Sequence, residues 1–208
     1  MKCLLIVVLA ALPHFALAEK KAITDTGDEV ILYDDGTWKY AVEQATKTTF
    51  ELNKEIFKKS ATSTFMLKST RNKSAVWLNT DKWSFTKSQD GSAAEYRLKL
   101  KQGDLYAMAI NEGVEIPLEN LVNIAFANAK SASGDIRIVR QEYRTVNGIK
   151  MAYAEMTGTL QGIKFTYFGA YYSGPSGSTQ LVAYTANNLI AKYRADINEI
   201  LSGFDLQR

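Results

Sequence analysis

Three long β-rich runs, 136–146, 150–160 and 163–172, are joined through the dipeptides Asn147-Gly148 and Gln161-Gly162. No other feature restricts the fold as much. Connections that short leave no room for a crossover, so the runs must pair antiparallel as a meander. Asn-Gly favours a type I′ turn, because both central positions need positive φ. The stretch 173–178, Ser-Gly-Pro-Ser-Gly-Ser, reads as a loop before a further strand at 180–184.

Upstream, 65–68 and 75–78 read as a strand pair, with 81–85 close behind. The segment 95–101 alternates cleanly, and Gln102-Gly103-Asp104 turns the chain into 105–110. The period then changes. Pro117 suits a first helical turn, and Leu118, Leu121, Val122, Ala125, Phe126 and Ala129 recur at helical spacing until Gly134 closes the helix. A second helix spans 187–202, with Leu189, Tyr193, Ile197, Ile200 and Leu201 on one face, and Gly203-Phe204 has the form of a Schellman cap. Two amphipathic helices must cover apolar sheet surface. The pattern predicts an α+β fold: an antiparallel β-sheet of about six strands flanked by two main helices, an α/β/α sandwich, preceded by a short N-terminal β-hairpin.

The first 18 residues read as an export signal. Lys2 supplies the positive region, 4–12 an apolar run of nine residues, and Ala16-Leu17-Ala18 a cleavage site before Glu19. Nine residues are too few to span about 30 Å of hydrocarbon as a helix, and no later segment is long and apolar enough. The expected location is a bacterial periplasm. Two short β-rich runs, 30–33 and 37–40, then flank Asp34-Asp35-Gly36, giving a hairpin marked by Asp35, Gly36 and Trp38. The domain reading is 1–18 signal peptide, 19–45 hairpin segment, 46–63 linker or short element, and 64–208 α+β domain. Within the third segment, 51–59 fits a short helix or a strand equally.

Cleavage removes Cys3 and His14, the only cysteine and the only histidine. The remaining 190 residues then exclude Cys/His zinc sites, Ser-His-Asp and Cys-His nucleophiles, thiol redox chemistry and histidine switching. Lys2 is the only charge lost, so the net charge falls from +3 to +2. The basic concentrations are Lys58-Lys59 and the set Arg97, Lys99 and Lys101, too few for a nucleic-acid partner. The latter set alternates with Leu98 and Leu100 and reads as the wet face of a strand. No cofactor and no metal is expected.

Other motifs carry little. Ser84-Phe85-Thr86-Lys87 matches S-x-x-K, but it lies in strand-like sequence without the companion S-D-N and K-T-G elements. Glu112, Glu115 and Glu119 are acids around a helix start, where the dipole favours them. Asp25, Asp28 and Glu29 lack EF-hand spacing, and Asn72-Lys73-Ser74 is a glycosylation sequon. Aromatics are dense from Tyr143 to Tyr172. Alternation puts Phe165, Tyr167 and Tyr171 on one face and Phe168 and Tyr172 on the other, a core pattern. The candidate recognition edge is Tyr171, Tyr172 and Pro175 with Tyr143 and Tyr153, beside the loop Gly174-Pro175-Ser176-Gly177.

Trp77 to Phe85 as an opening tryptophan-bearing strand, Gly103-Asp104 before the next strand, Asn147-Gly148 in the central hairpin and the closing Ile200-Leu201-Ser202-Gly203-Phe204 together resemble the PsbP-like fold superfamily over about 65–204. Its exported bacterial members include proteins of the DcrB type. The resemblance implies a generally non-enzymatic protein that binds or stabilises other proteins, and it brings no active-site set. The N-terminal hairpin lies outside it.

The expectation is therefore a non-catalytic exported module, monomeric, binding an envelope protein. An exposed apolar patch would mark that role. The alternative is a small-ligand carrier with an aromatic cleft between sheet and helix, marked by a pocket of about 300 Å³ or more with convergent polar groups. An Asp/Glu-based hydrolase is the third reading, and two acids converging in a cleft would mark it.

Overall fold

The computed structural model describes residues 20–23, 29–40, 50–89 and 91–207. The export signal, the Ala18-Glu19 cleavage site, Asp25, Asp28 and 41–49 lie outside the described residues. In chain order the strands are β1 (Lys20–Ile23), β2 (Glu29–Leu32), β3 (Trp38–Tyr40), β4 (Glu51–Phe57), β5 (Phe65–Lys68), β6 (Ser74–Leu78), β7 (Trp83–Lys87), β8 (Ala94–Leu100) and β9 (Tyr106–Glu112). Helix α1 (Leu118–Ala132) follows, then β10 (Arg137–Val146), β11 (Ile149–Leu160), β12 (Ile163–Gly174), β13 (Gly177–Ala186), helix α2 (Ile190–Ser202) and β14 (Phe204–Leu206).

The main sheet has eight strands in the order β4-β10-β11-β12-β13-β9-β8-β7, not about six, and it is mixed. The extra edge is β4, which pairs parallel to β10. Its sequence, Glu-Leu-Asn-Lys-Glu-Ile-Phe, has no clean period, which is why helix and strand fitted it equally. The pair 65–68 and 75–78 forms as expected, but in a separate small sheet ordered β14-β6-β5. The N-terminal unit is a three-stranded meander, β1-β2-β3, rather than a hairpin. In its loop only Gly36 has positive φ, at 82°. A turn closed by Gly36 N–H to the Tyr33 carbonyl, then a left-handed glycine, replaces the two-residue turn.

Both central turns behave as their sequence demands. Asn147 and Gly148 have φ of 49° and 84°, and Gln161 and Gly162 have 50° and 80°, the type I′ signature. The expected loop 173–178 shrinks to Pro175-Ser176, because β12 and β13 stay paired as far as Gly174 and Gly177. Gly177 is held against β9, where a Cβ would stand 2.0 Å from the Glu112 carbonyl oxygen. Two helix ends also differ from expectation. Helix α1 stops at Ala132 with Ser133 extended, so Gly134 is not its cap. Gly203 has φ −75°, so the Schellman cap does not form. Glycine is needed there because β6 passes close by: a Cβ would lie 2.4 Å from the Trp77 carbonyl oxygen.

The two faces of the sheet build two cores. Helix α1 lies over β10, β11 and β12, with Leu121 and Val122 against Ala152, Ala154, Met156, Phe165 and Tyr171. On the opposite face α2 lies over β12 and β13, and the small sheet extends the cover. Tyr193, Ile197, Ile200 and Leu201 meet Met151, Tyr153, Phe168, Ala170 and Tyr172 there, together with Leu67, Val76, Leu78 and Phe204. The sequence alternation of aromatics along β12 is thus the alternation between cores. Buried Glu95 locks the small sheet down, accepting bonds from Ser69, from the Thr70 amide and hydroxyl, and from Asn111 at 2.7–2.9 Å. Burial pushes its carboxyl up, but those four bonds outweigh it and hold it below the ordinary value.

The two covers are offset. Among the described residues, the α1 face leaves the β9-β8-β7 end without a helix, and the α2 face reaches β11 but leaves no helix directly over β4 and β10.

Candidate functional site

At the β4-β10-β11 end, the residues of one face are charged. Arg140, Glu142 and Arg144 alternate along β10, so period two sends all three to the α2 side. Register sets Arg140 opposite Glu155 and Glu142 opposite Tyr153. Asn53, Glu55 and Phe57 of β4 line a third column, and Arg194 and Asn198, four residues apart on α2, form the wall. The cleft so enclosed measures about 410 Å³.

Arg144 is buried, with its guanidinium 3.2 Å from the Tyr153 ring centroid and 4.6 Å from that of Phe57. Its Nε donates to Glu142 at 2.5 Å. Glu142 also accepts from Arg140 at 2.9 Å and from Asn53 at 3.1 Å. Burial raises the Glu142 carboxyl, but the bonds from Asn53 and Arg144 prevail and hold it below the ordinary value. Tyr153 donates to Glu155 at 2.7 Å, and burial with that neighbouring charge pushes its hydroxyl well above the ordinary range. Arg140 and Arg194 both stand within 4 Å of the same Glu155 oxygen, at 3.9 and 3.7 Å.

The other open end is aromatic. Tyr167, Tyr184 and Tyr106 are in register across β12, β13 and β9. Their rings form a row, with centroids 5.7 and 5.6 Å apart, and Lys99 of β8 lies 5.5 Å over Tyr106. Met108 and Ile110 share that face half-buried, beside exposed Arg97 and Lys99. Lys101 follows beyond the strand, so the wet face expected of 97–101 is present and adjoins aromatics.

Sequence reasoning placed only one recognition residue in a site. Tyr153 floors the cleft. Tyr171 is entirely buried beneath α1, and Tyr172 is in the opposite core, 5.1 Å from the Phe204 ring. Tyr143 stacks on Phe50 on the α1 side, with Lys150 above it and its hydroxyl donating to Glu119. Pro175 is at an exposed turn. These five share no edge, because neighbouring strand residues point to opposite faces. Ser84 and Lys87 are three apart on β7 and therefore also face opposite ways, so they form no nucleophile–base pair. Asp35 bonds the amide and hydroxyl of Thr37, which lower its carboxyl, and Trp38 is 54% exposed beside it. Asn72 spends its amide on the Glu112 and Ser178 carbonyls and on Thr179. Glu112 and Glu115 are exposed and do not approach a cleft with Glu119. The acids that do converge are Glu142 and Glu155, both tied to arginines. Arg-x-Glu-x-Arg inside a long strand was the signal for them.

The fold defines the class. Cyanobacterial PsbP (CyanoP) from Synechocystis sp. PCC 6803 superposes with a TM-score of 0.53 at 12% identity, covering 68% of this chain and 91% of that one. The chain has a PsbP-like fold. It belongs to the DUF3157 family, described as protein of unknown function, whose model matches residues 1–125 and so spans the N-terminal strands and the first half of the sandwich. Weaker likenesses join it to the protein of unknown function PA94 from Pseudomonas aeruginosa (TM-score 0.41, 8% identity, 58% of this chain and 79% of that one). A Bacteroides thetaiotaomicron protein gives a TM-score of 0.38 at 10% identity, covering 65% of this chain and 46% of that one. No curated protein matches the sequence. No helix among the described residues is long and apolar enough to cross a membrane.

Proposed function

We propose that this chain is an exported, non-catalytic binding protein of the bacterial periplasm, and that it takes a protein partner on the open aromatic end of its sheet. The observation that carries this is the row of Tyr184 and Tyr106 with Met108 and Ile110 on β13 and β9, which runs out from Tyr167 at the edge of the α1 core onto strands with no helix over them among the described residues. Tyrosine, methionine and arginine are enriched at protein interfaces, and tyrosine offers large contact area at little entropic cost. Burial, with the neighbouring tyrosine, raises the Tyr167 hydroxyl, and burial does the same at Tyr184, so both rings stay neutral across physiological pH. Export rests on the first 18 residues.

A photo-crosslinking residue in place of Met108, in the native host, tests the reading. The expected result is a discrete polypeptide adduct that is absent when the crosslinker replaces exposed Lys192 on α2. No adduct, or the same adducts from both positions, would overturn it. Fractionation with N-terminal sequencing tests export, with a start at Glu19 in the periplasmic fraction expected.

A further inference from the structure

We infer that the cleft between β4, β10, β11 and α2 is a binding site for a small organic acid that also carries hydroxyl or ammonium donors, an amino acid or hydroxy acid in chemical class. Its guanidinium groups are under-used. Among the described residues Arg144 makes one hydrogen bond, through Nε, and Arg140 spends Nε and Nη2 on Glu142. Arg194 lies 5.1 Å over the Phe168 ring, and its nearest acid, Glu155, is 3.7 Å away, too long for a good hydrogen bond. Several N–H donors of three arginines around one cleft are thus left for something else. A planar guanidinium fork matches a carboxylate in bidentate fashion.

The placement of Arg144 makes it more than a surface cation. It is sandwiched against Tyr153 and Phe57 and is nearly sealed from solvent. Glu142 divides its two oxygens between Arg144 and Arg140, and the remaining Arg144 nitrogens are not buried orphans but line the cleft. A ligand carboxylate on the remaining donors completes the pairing.

The acids select among anions. Glu55 and Glu155 line the same cleft, so a bare anion meets repulsion as well as attraction. A ligand that brings its own donors answers both: its carboxylate faces the arginines, and its hydroxyl or ammonium groups face Glu55, Glu155, Asn53 and Asn198. At about 410 Å³ the cleft falls in the range that holds small molecules. This site is on the opposite face of the sheet from the proposed partner surface and does not depend on it.

Isothermal titration of the chain purified from its own host, dialysed and held at constant ionic strength, tests the assignment with a matched series. Succinate, aspartate and tartrate share one four-carbon diacid skeleton, bare in the first and bearing an ammonium or two hydroxyls in the others. Inorganic phosphate is the fourth probe. Saturable one-to-one binding of aspartate or tartrate is expected, with succinate several-fold weaker and phosphate weaker still. Arg194→Gln should weaken the best ligand about tenfold, the loss of one charge-assisted contact. Glu55→Gln should narrow the gap between that ligand and succinate. Both positions are exposed enough that the unfolding temperature should stay unchanged, which separates binding from folding. Absence of saturable binding by all four probes, tightest binding by phosphate, or indifference to Arg194→Gln would each overturn the assignment.

Discussion

The two open ends of the eight-stranded sheet differ in chemistry, although the same offset of covers creates both. At one end β10 presents Arg140, Glu142 and Arg144 toward α2, and the three arginines there are each tied to Glu142 or Glu155. At the other, β13 and β9 present Tyr184, Tyr106, Met108 and Ile110, with cations only at the rim. A charged cleft floored by strands and walled by a helix suits a small polar molecule, whose groups can be met one by one. A flat aromatic face offers area and little enclosure, which suits a macromolecule. The difference teaches that an uncovered sheet end is not one kind of feature; the residues of the open phase decide its use.

The largest expected effect tests whether the aromatic end is open at all. Phe168 is fully buried on β12, with Arg194 5.1 Å above its ring. Phe168→Ala should cost about 3–5 kcal/mol of unfolding free energy, the cavity and transfer cost of a core phenylalanine. Tyr184→Ala, on the neighbouring strand but on the open face, should cost about 1 kcal/mol. Urea denaturation measures both. If the two substitutions cost the same, Tyr184 is core and the comparison between ends collapses.

A medium effect tests the charged end. Glu142→Gln removes the carboxylate that pairs buried Arg144, and a loss of about 2–3 kcal/mol is expected. Acid should reproduce part of it. Glu142 and Glu95 both titrate below the ordinary 4.5 in the folded chain. Between the folded and unfolded values the unfolded chain binds more protons, so stability is full above about pH 4.5 and is lost as pH falls through the folded values. Denaturation curves at neutral pH and in acid should separate by less in Glu142→Gln than in the parent chain. An equal separation would show that the cleft network contributes nothing to acid sensitivity.

How much of this was legible in the sequence follows from what each signal measures. Short X-Gly turns are local chemistry, so the meander and the split of aromatics between two cores were readable from residues 136–172. Helix periodicity located α2 because four large apolar residues, Tyr193, Ile197, Ile200 and Leu201, share its buried face. The parallel edge β4 was not readable, since its partner β10 is 80 or more residues away and its own pattern is mixed. Gly203 misled because glycine serves two ends, positive φ and close approach, and only the position of β6 decides between them. The cleft escaped notice for a related reason. Arg140, Glu142 and Arg144 read as the wet phase of a strand, and only α2, folded back from the far end of the chain, turns that phase into a wall-and-floor site.

The smallest stability effects carry the sharpest discrimination between the ends. Arg194→Gln removes a half-exposed charge whose nearest acid is 3.7 Å away, and its cost should stay within about 0.5 kcal/mol. Tyr106→Ser removes a half-buried ring at one end of the tyrosine row and should cost about 1 kcal/mol or less. Neither change reaches the opposite face of the sheet. The first should therefore weaken acid binding while leaving the crosslink from position 108 intact, and the second should abolish the crosslink while leaving the titration with aspartate or tartrate untouched. Measuring both readouts on both variants makes a complete cross. Two independent losses mean two surfaces with separate tasks. If either variant erased both signals, the ends would be coupled through β12 and β11, whose residues alternate between the two faces, and the cleft would then act as a sensor that sets how the aromatic face meets its partner.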